Sequence, residues 1–152
     1  MTQDLTHQPS QPVRPIVALA ILHQDGKFLM QLRDDNPNIF YPGHWAFFGG
    51  HLELGETAEV GLRRELIEEI GYCPAMLTPY DRYDDTHIIR YIFHGELDLA
   101  LSQLILGEGM DLDLLTLEDI QRGDRYSQKI NQTRPIGKPH QKILLDFIQH
   151  KG

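Results

Sequence analysis

The chain has 152 residues and a formal net charge of −8, from 22 acidic against 14 basic side chains. That length supports one domain with one sizeable core, and 41% hydrophobic with 24% charged residues excludes wholesale disorder. The acidic balance argues against broad binding to nucleic acid or to anionic membrane surfaces, which needs an excess of Lys and Arg.

The charge is unevenly spread. Residues 50–119 carry 16 acidic and 4 basic side chains, whereas residues 120–152 carry 2 acidic and 7 basic. Cys73 is the only cysteine, so neither a disulfide framework nor a thiolate zinc site is expected. The N-terminal segment lacks the apolar stretch of a secretory signal, and no apolar run approaches bilayer length, so the expected compartment is the cytoplasm.

Residues 1–15, rich in Gln, Pro and Thr, are expected to form a loose tail, with a single domain over 16–152. Ile16–Leu22 is apolar and partly β-branched, as in a buried strand. Gln24-Asp25-Gly26 is turn chemistry, and Phe28–Leu32 reads as the returning strand. Residues 34–44 form a loop punctuated by Pro37, Pro42 and Gly43. A short strand over Trp45–Phe48 leads into Gly49-Gly50 and the loop His51–Glu56.

Thr57 is placed to cap a helix over 58–70 that Gly71 stops. His87–Leu97 is the longest strand candidate, and 98–115 reads as a loop region. Thr116 to Asp119 has the spacing of a capping box, and Gln141–His150 reads as a terminal amphipathic helix. This order suggests a mixed sheet with helices packed on it.

The informative stretch is Gly50–Tyr72, GHLELGETAEVGLRRELIEEIGY. At about 100° per residue, with Ala58 at zero, Glu65 falls near about −20°, Glu69 near about +20° and Glu68 near about −80°. Leu62, Leu66 and Ile70 fall at about +40° to +120° on the same wheel. The three carboxylates therefore form an arc beside the core-facing stripe, not opposite it. Ala58 and Gly61 share that arc and are expected to leave space above the carboxylates. Clustered carboxylates with cleared space suit a hard divalent cation. A solvated helix with Arg63 and Arg64 as ion-pair partners is the competing reading, and geometry alone leaves the two balanced.

The segment resembles the Nudix box of the Nudix hydrolase family. Gly50, Glu56, Arg64, Glu65, Leu66, Glu68, Glu69 and Gly71 occupy its fixed positions, with Tyr72 at a site that is usually apolar. Trp45 to Gly50 is similar to the family's approach to the box, except that Phe48 stands where proline is common. The resemblance implies an α/β fold, a Nudix-type α/β/α sandwich with a mixed β-sheet. It also implies hydrolysis of a diphosphate linked to another moiety, using Mg²⁺ or Mn²⁺.

By matching positions, Glu65, Glu68 and Glu69 would be metal ligands, with the carbonyl of Gly49 as a further ligand. Oxygen-only donors suit these cations and disfavour zinc. Arg64 and Glu56 would hold the ligands in orientation. Glu68 is the expected base, and Glu108, in a late loop, is the other candidate, an ordinary loop acid being its alternative.

Arg33 aligns with a position that contacts substrate in some members; a strand-end surface arginine is the alternative. Trp45, Phe47 and Tyr91 are candidates for a face on which a base stacks, with core packing as the competing role of each. Branch-specific marks are mostly absent: no proline lies between Tyr80 and Arg134, and Trp45 is the only tryptophan. The expected function is thus a pyrophosphohydrolase acting on a nucleotide-type small molecule. A non-catalytic Nudix module that binds or senses a nucleotide is the alternative. The resemblance also admits a homodimer, since many relatives dimerise. The basic stretch from Arg122 to Lys142 is most simply solvated surface, with lining of the cleft or docking of a second subunit as other roles.

Overall fold

The structure is a computed structural model that describes residues 14–151, Lys151 through its backbone alone. Nine strands and three helices follow in chain order among the described residues. The first hairpin joins β1 (Ile16–Gln24) to β2 (Lys27–Leu32) through the pairs Gln24↔Lys27 and His23↔Phe28. Asp25 and Gly26 both adopt positive φ, 53° and 75°, the backbone that a tight two-residue hairpin with the strands' own twist requires.

Beyond that hairpin the two strands part. β1 continues against β4 (Phe48–His51), antiparallel, and against β6 (Ile89–Glu96), parallel. β2 continues against β3 (Trp45–Ala46) and β7 (Asp111–Leu115). β5 (Thr78–Asp84) completes the seven-stranded mixed sheet on the outer side of β6. The strand expected over Trp45–Phe48 is therefore two strands, because the chain changes partner at Phe47, and Gly49-Gly50 lie within β4. β6 is shorter than expected, and β1, with nine residues, is the longest strand.

Side chains alternate across β1, so one strand feeds two apolar layers. Val17, Leu19 and Ile21 join Phe28, Met30 and Trp45 under α2 (Leu117–Arg122) and α3 (Lys138–Lys151). Ala18, Ala20 and Leu22 join Leu29 and Phe48 under α1 (Ala58–Ile70), which contributes Leu62, Leu66 and Ile70. The result is the α/β/α sandwich with a mixed sheet.

Region 98–115 is not merely a loop: it holds a 3-10 turn at Leu101–Gln103 and the strand β7. A small hairpin, β8 (Asp124–Ser127) with β9 (Gln132–Pro135), is a further element that the sequence pattern does not mark. α3 starts three residues before the expected Gln141. The expected tail falls, for residues 1–13, outside the described residues. Its last two members are fastened: Arg14 donates to Asp84 at 3.0 Å, and the Pro15 carbonyl accepts from the Ile89 N–H.

Candidate active site

α1 is built by strongly local signals. The Thr57 hydroxyl accepts from the Val60 N–H at 3.2 Å, and Gly71, at φ 68°, returns its N–H to the Ile67 carbonyl. These caps fix both ends of the helix and leave its Glu65–Glu68–Glu69 arc facing the end of β4.

Two glycines make that approach close. Gly49 has φ 142°, and a Cβ there would overlap the Ala18 carbonyl across the β1–β4 pair. A Cβ on Gly50 would come within 2.6 Å of the Glu65 carboxylate. Glu69 accepts the Gly49 N–H at 3.0 Å. Burial lifts its carboxyl to about 8, helped by Glu65 and Glu108 and opposed by the Gly49 N–H and Arg33.

Arg64 organises the exposed side of the arc. Its Nε and Nη2 donate to the two oxygens of Glu56 at 2.7 and 2.9 Å, a two-pronged pairing. Nη1 reaches Glu65 at 3.1 Å and Glu68 at 3.3 Å, and Nη2 reaches the His51 carbonyl at 3.3 Å. Paired with Arg64 and with the Glu53 N–H, Glu56 falls to about 2. Arg63 turns away, to Glu59 and to the Cys73–Ala75 segment.

The space expected above Gly61 is instead filled. Leu52 and Glu56 of the β4–α1 loop pack so closely there that a Cβ would lie 2.5 Å from Leu52. Gly61 thus seats the loop that holds Glu56 against Arg64.

Where β1 and β2 part, a cleft of about 270 Å³ opens. Its lining includes Gly49, Gly50, His51 and Glu69 together with Gln31, Arg33 and Phe47. Phe40 and Tyr41, from the β2–β3 loop, stand at the cleft with Phe40 half exposed. His140, from α3, also lines it and is buried; its Nδ1 accepts the Phe47 N–H at 3.3 Å. Burial lowers His140 to about 3, with the charges of Arg90, Arg33 and His44 acting the same way.

The structure thus brings together Gly49, Glu56, Arg64, Glu65, Glu68 and Glu69, with Arg33 and Phe47 in the adjoining cleft. Arg33 is held below the ordinary guanidinium range by burial, against the pull of Glu69, Asp34 and Glu108. Glu108 is exposed on a loop pinned to α1, where the Gly107 N–H donates to the Glu69 carbonyl at 2.8 Å. Trp45 and Tyr91 are not brought to the cleft. Trp45 is fully buried, its indole N–H donating to the Arg125 carbonyl at 3.1 Å, because β3 faces α3 there. Tyr91 lies opposite Ala18 and shares the α1 face, with Arg82 over its ring at 5.7 Å.

Sequence reasoning missed His51, His87, His140 and Arg90 in the cleft lining. Their spacing carries no signal, since they arrive from β4, the β5–β6 turn, α3 and β6.

The donor set suits a hard cation in type, being all carboxylate and carbonyl oxygen. Among the described residues no three acidic, His or Cys side chains converge into a ready cage, because Glu65 and Glu68 turn to Arg64 and Glu69 turns to Gly49. The fit is one of donor chemistry and shared face.

A helix carrying three carboxylates is docked by a glycine pair at the rim of a sheet cleft whose lining includes Arg33 and Arg90. The family model described as the NUDIX domain matches residues 12–134, and the chain belongs to the Nudix family. It is similar to the nucleoside triphosphatase NudI of Salmonella typhimurium, 38% identical over 91 residues, 59% of this chain and 64% of that protein. The chain thus matches less than two thirds of that relative's length.

Among solved structures, the MutT protein of Methanosarcina mazei matches with a TM-score of 0.67 at 20% identity, covering 92% of this chain and 98% of that one. The NUDIX domain of Shewanella oneidensis NrtR, complexed with ADP ribose, matches at 0.70 with 15% identity over 100% of both chains. At such identities the likeness is one of fold. α3, which lines the cleft through His140, lies beyond the segment that the family model matches.

Proposed function

We propose that the chain is a pyrophosphohydrolase dependent on Mg²⁺ or Mn²⁺. It splits the diphosphate bond of a nucleoside di- or triphosphate, or of another nucleoside diphosphate derivative, into a nucleoside monophosphate and the remaining phosphate product. The observation that carries this reading is the carboxylate face of α1 set against Gly49 at the rim of a cleft that also holds Arg33. The likeness to a nucleoside triphosphatase supports the nucleotide class of substrate.

Glu65, Glu68, Glu69 and the Gly49 carbonyl would hold the cation. When bound there, such a cation neutralises phosphate charge and makes water more acidic. Glu68, the most exposed of the three carboxylates in α1's arc, takes the proton of the attacking water as it adds to phosphorus. Arg64 keeps Glu65 and Glu68 oriented, and Glu56 keeps Arg64 in place. Arg33 presents a fixed positive charge to the phosphate oxygens before the reaction begins. Glu108, beside Glu69, is the second candidate for the proton. The family-matched region and α3 act as one domain over 16–152, working in the cytoplasm on a small molecule.

Release of phosphate or pyrophosphate from a panel of nucleotides, with Mg²⁺ or Mn²⁺ supplied, tests this reading. Glu68→Gln and Glu69→Gln should each lower turnover by orders of magnitude while leaving circular dichroism and melting intact. Near-wild-type turnover in both variants overturns the assignment. Tight nucleotide binding by the unaltered chain with no hydrolysis would instead make it a binding module. A larger loss in Glu108→Gln than in Glu68→Gln moves the base to the late loop.

A further inference from the structure

The cleft contains a second guanidinium that the hydrolytic reading does not use. Arg90 stands on β6 opposite Val17 of β1 and is only 6% exposed. Among the described residues its one hydrogen bond runs from Nη1 to Asp85 at 3.2 Å. A guanidinium carries five N–H donors in a planar fork, so most of this one is left without a protein acceptor. Withdrawing most of such a cation from water for a single ion pair carries a desolvation cost that one partner repays poorly, and its remaining donors face the cleft. The position is better explained by an acceptor that arrives with a ligand.

The geometry also says what kind of acceptor. Asp85 is held rigidly: one of its oxygens accepts the N–H groups of His87 at 2.7 Å and Ile88 at 3.0 Å, and the other accepts Arg90. Its side chain remains half exposed. A phosphate placed on Arg90 would therefore also meet a carboxylate, whereas a neutral carbonyl would not be repelled. Val17, Leu19 and Ile88 supply an apolar floor beside the pair, which suits a flat uncharged ring. Arg33 lies within electrostatic reach of Glu69 and Glu108, whereas Arg90 is paired with Asp85. Phosphates held near Glu69 and Arg33 would leave the group they carry to reach Arg90 across the same cleft. With Asp85 already accepting three hydrogen bonds, the local surplus is of donors, which favours a ring edge rich in acceptors.

We propose that Arg90 is a specificity-determining residue that donates to the exocyclic oxygen at purine C6 or pyrimidine C4, favouring guanine, uracil and thymine, which carry a carbonyl there, over adenine and cytosine, whose amino group at that position is itself a donor. This rests on the reading of the cleft as a nucleotide site. Arg90 takes no part in bond cleavage; its effect is on which base is held.

Calorimetric titration of the full chain with GMP, UMP, AMP and CMP tests the inference without requiring turnover. The unaltered chain should bind GMP and UMP about tenfold more tightly than AMP and CMP. Arg90→Met should bring all four within about twofold of one another, chiefly by weakening the keto pair. Arg90→Lys keeps the charge opposite Asp85 but loses the fork, so it should narrow the preference even if Arg90→Met fails to fold. Equal binding of the four by the unaltered chain overturns the inference, as does an equal loss across all four in Arg90→Met. An unchanged preference in folded Arg90→Lys also overturns it. Binding of none of the four also overturns it; if the nucleotide panel with Mg²⁺ or Mn²⁺ then shows no hydrolysis either, the nucleotide reading falls as well, which sets the two failures apart.

Discussion

Gly49 and His140 show two ways in which single residues at this cleft are constrained, one within the sheet and one from the helix packed on it. Gly49 combines a positive φ with backbone contact to Ala18, so strain and overlap act together on any side chain placed there. Gly49→Ala should destabilise the fold by about 2 kcal/mol or more in chemical denaturation, since both named costs apply at one position. His140 is buried and uncharged, its folded value near 3 against 6.5 for a free side chain, with desolvation the main cause. Below about 6.5 the unfolded chain binds a proton that the folded chain refuses, so this stability is full above that pH and lost as pH falls toward about 3. His140→Gln retains an acceptor for the Phe47 N–H and should flatten the fall in urea midpoint between about pH 7 and pH 5. An equally steep fall in the variant would place the acid sensitivity elsewhere.

At the scale of elements, α1 is the part most legible in sequence, and its bounds agree with expectation at both ends. Cap, carboxylate arc, apolar stripe and left-handed stop all lie within a few residues of the groups they act on. Thr57→Ala should therefore cost about 1 kcal/mol of stability, read by thermal melting, with little change in the cleft. The strand β7 was illegible for the opposite reason. Its sequence places Asp111 and Asp113 in a strand, where Asp is disfavoured. Their partners, Ser127 at 2.7 Å and Arg125 at 2.7 Å, come from the β8–β9 hairpin. The hairpin is similarly polar and turns on Asn131, at φ 57°.

At the scale of the whole molecule, the uneven charge noted in the sequence becomes an internal pairing. Arg122 and Arg125 meet Asp119, Arg125 also meets Asp113, and Arg134 reaches back to Asp35 with two hydrogen bonds of 2.8 and 3.0 Å. Much of the basic C-terminal region is therefore neither free surface nor a direct lining of the cleft. It ties late elements to the acidic centre and to the loop that carries Phe40 and Tyr41. Arg134→Gln should leave the melting temperature nearly unchanged, since exposed ion pairs contribute little. It should speed amide exchange of Ile39 and Gly43, because the loop loses its tether to β9. Unchanged exchange at those amides would mean that Tyr41, packed edge-on to His140 at 5.6 Å, holds the loop without help.

The family and the helix that bears the carboxylates, with the caps that bound it, are written in the local sequence. Each of these depends on neighbours a few positions away, and a local pattern records such dependence directly. Which aromatic side chains reach the cleft, which cations line it, and that Gly49 must yield to Ala18 follow from strand pairing and helix docking. Trp45 and Tyr91 were sent to opposite faces by strand pairing, and a one-residue change of register reverses the face of every side chain on a strand. Arg90, His87 and His140 meet because β1 parts from β2 and α3 folds over the gap, contacts between segments that carry no mark of one another in the chain.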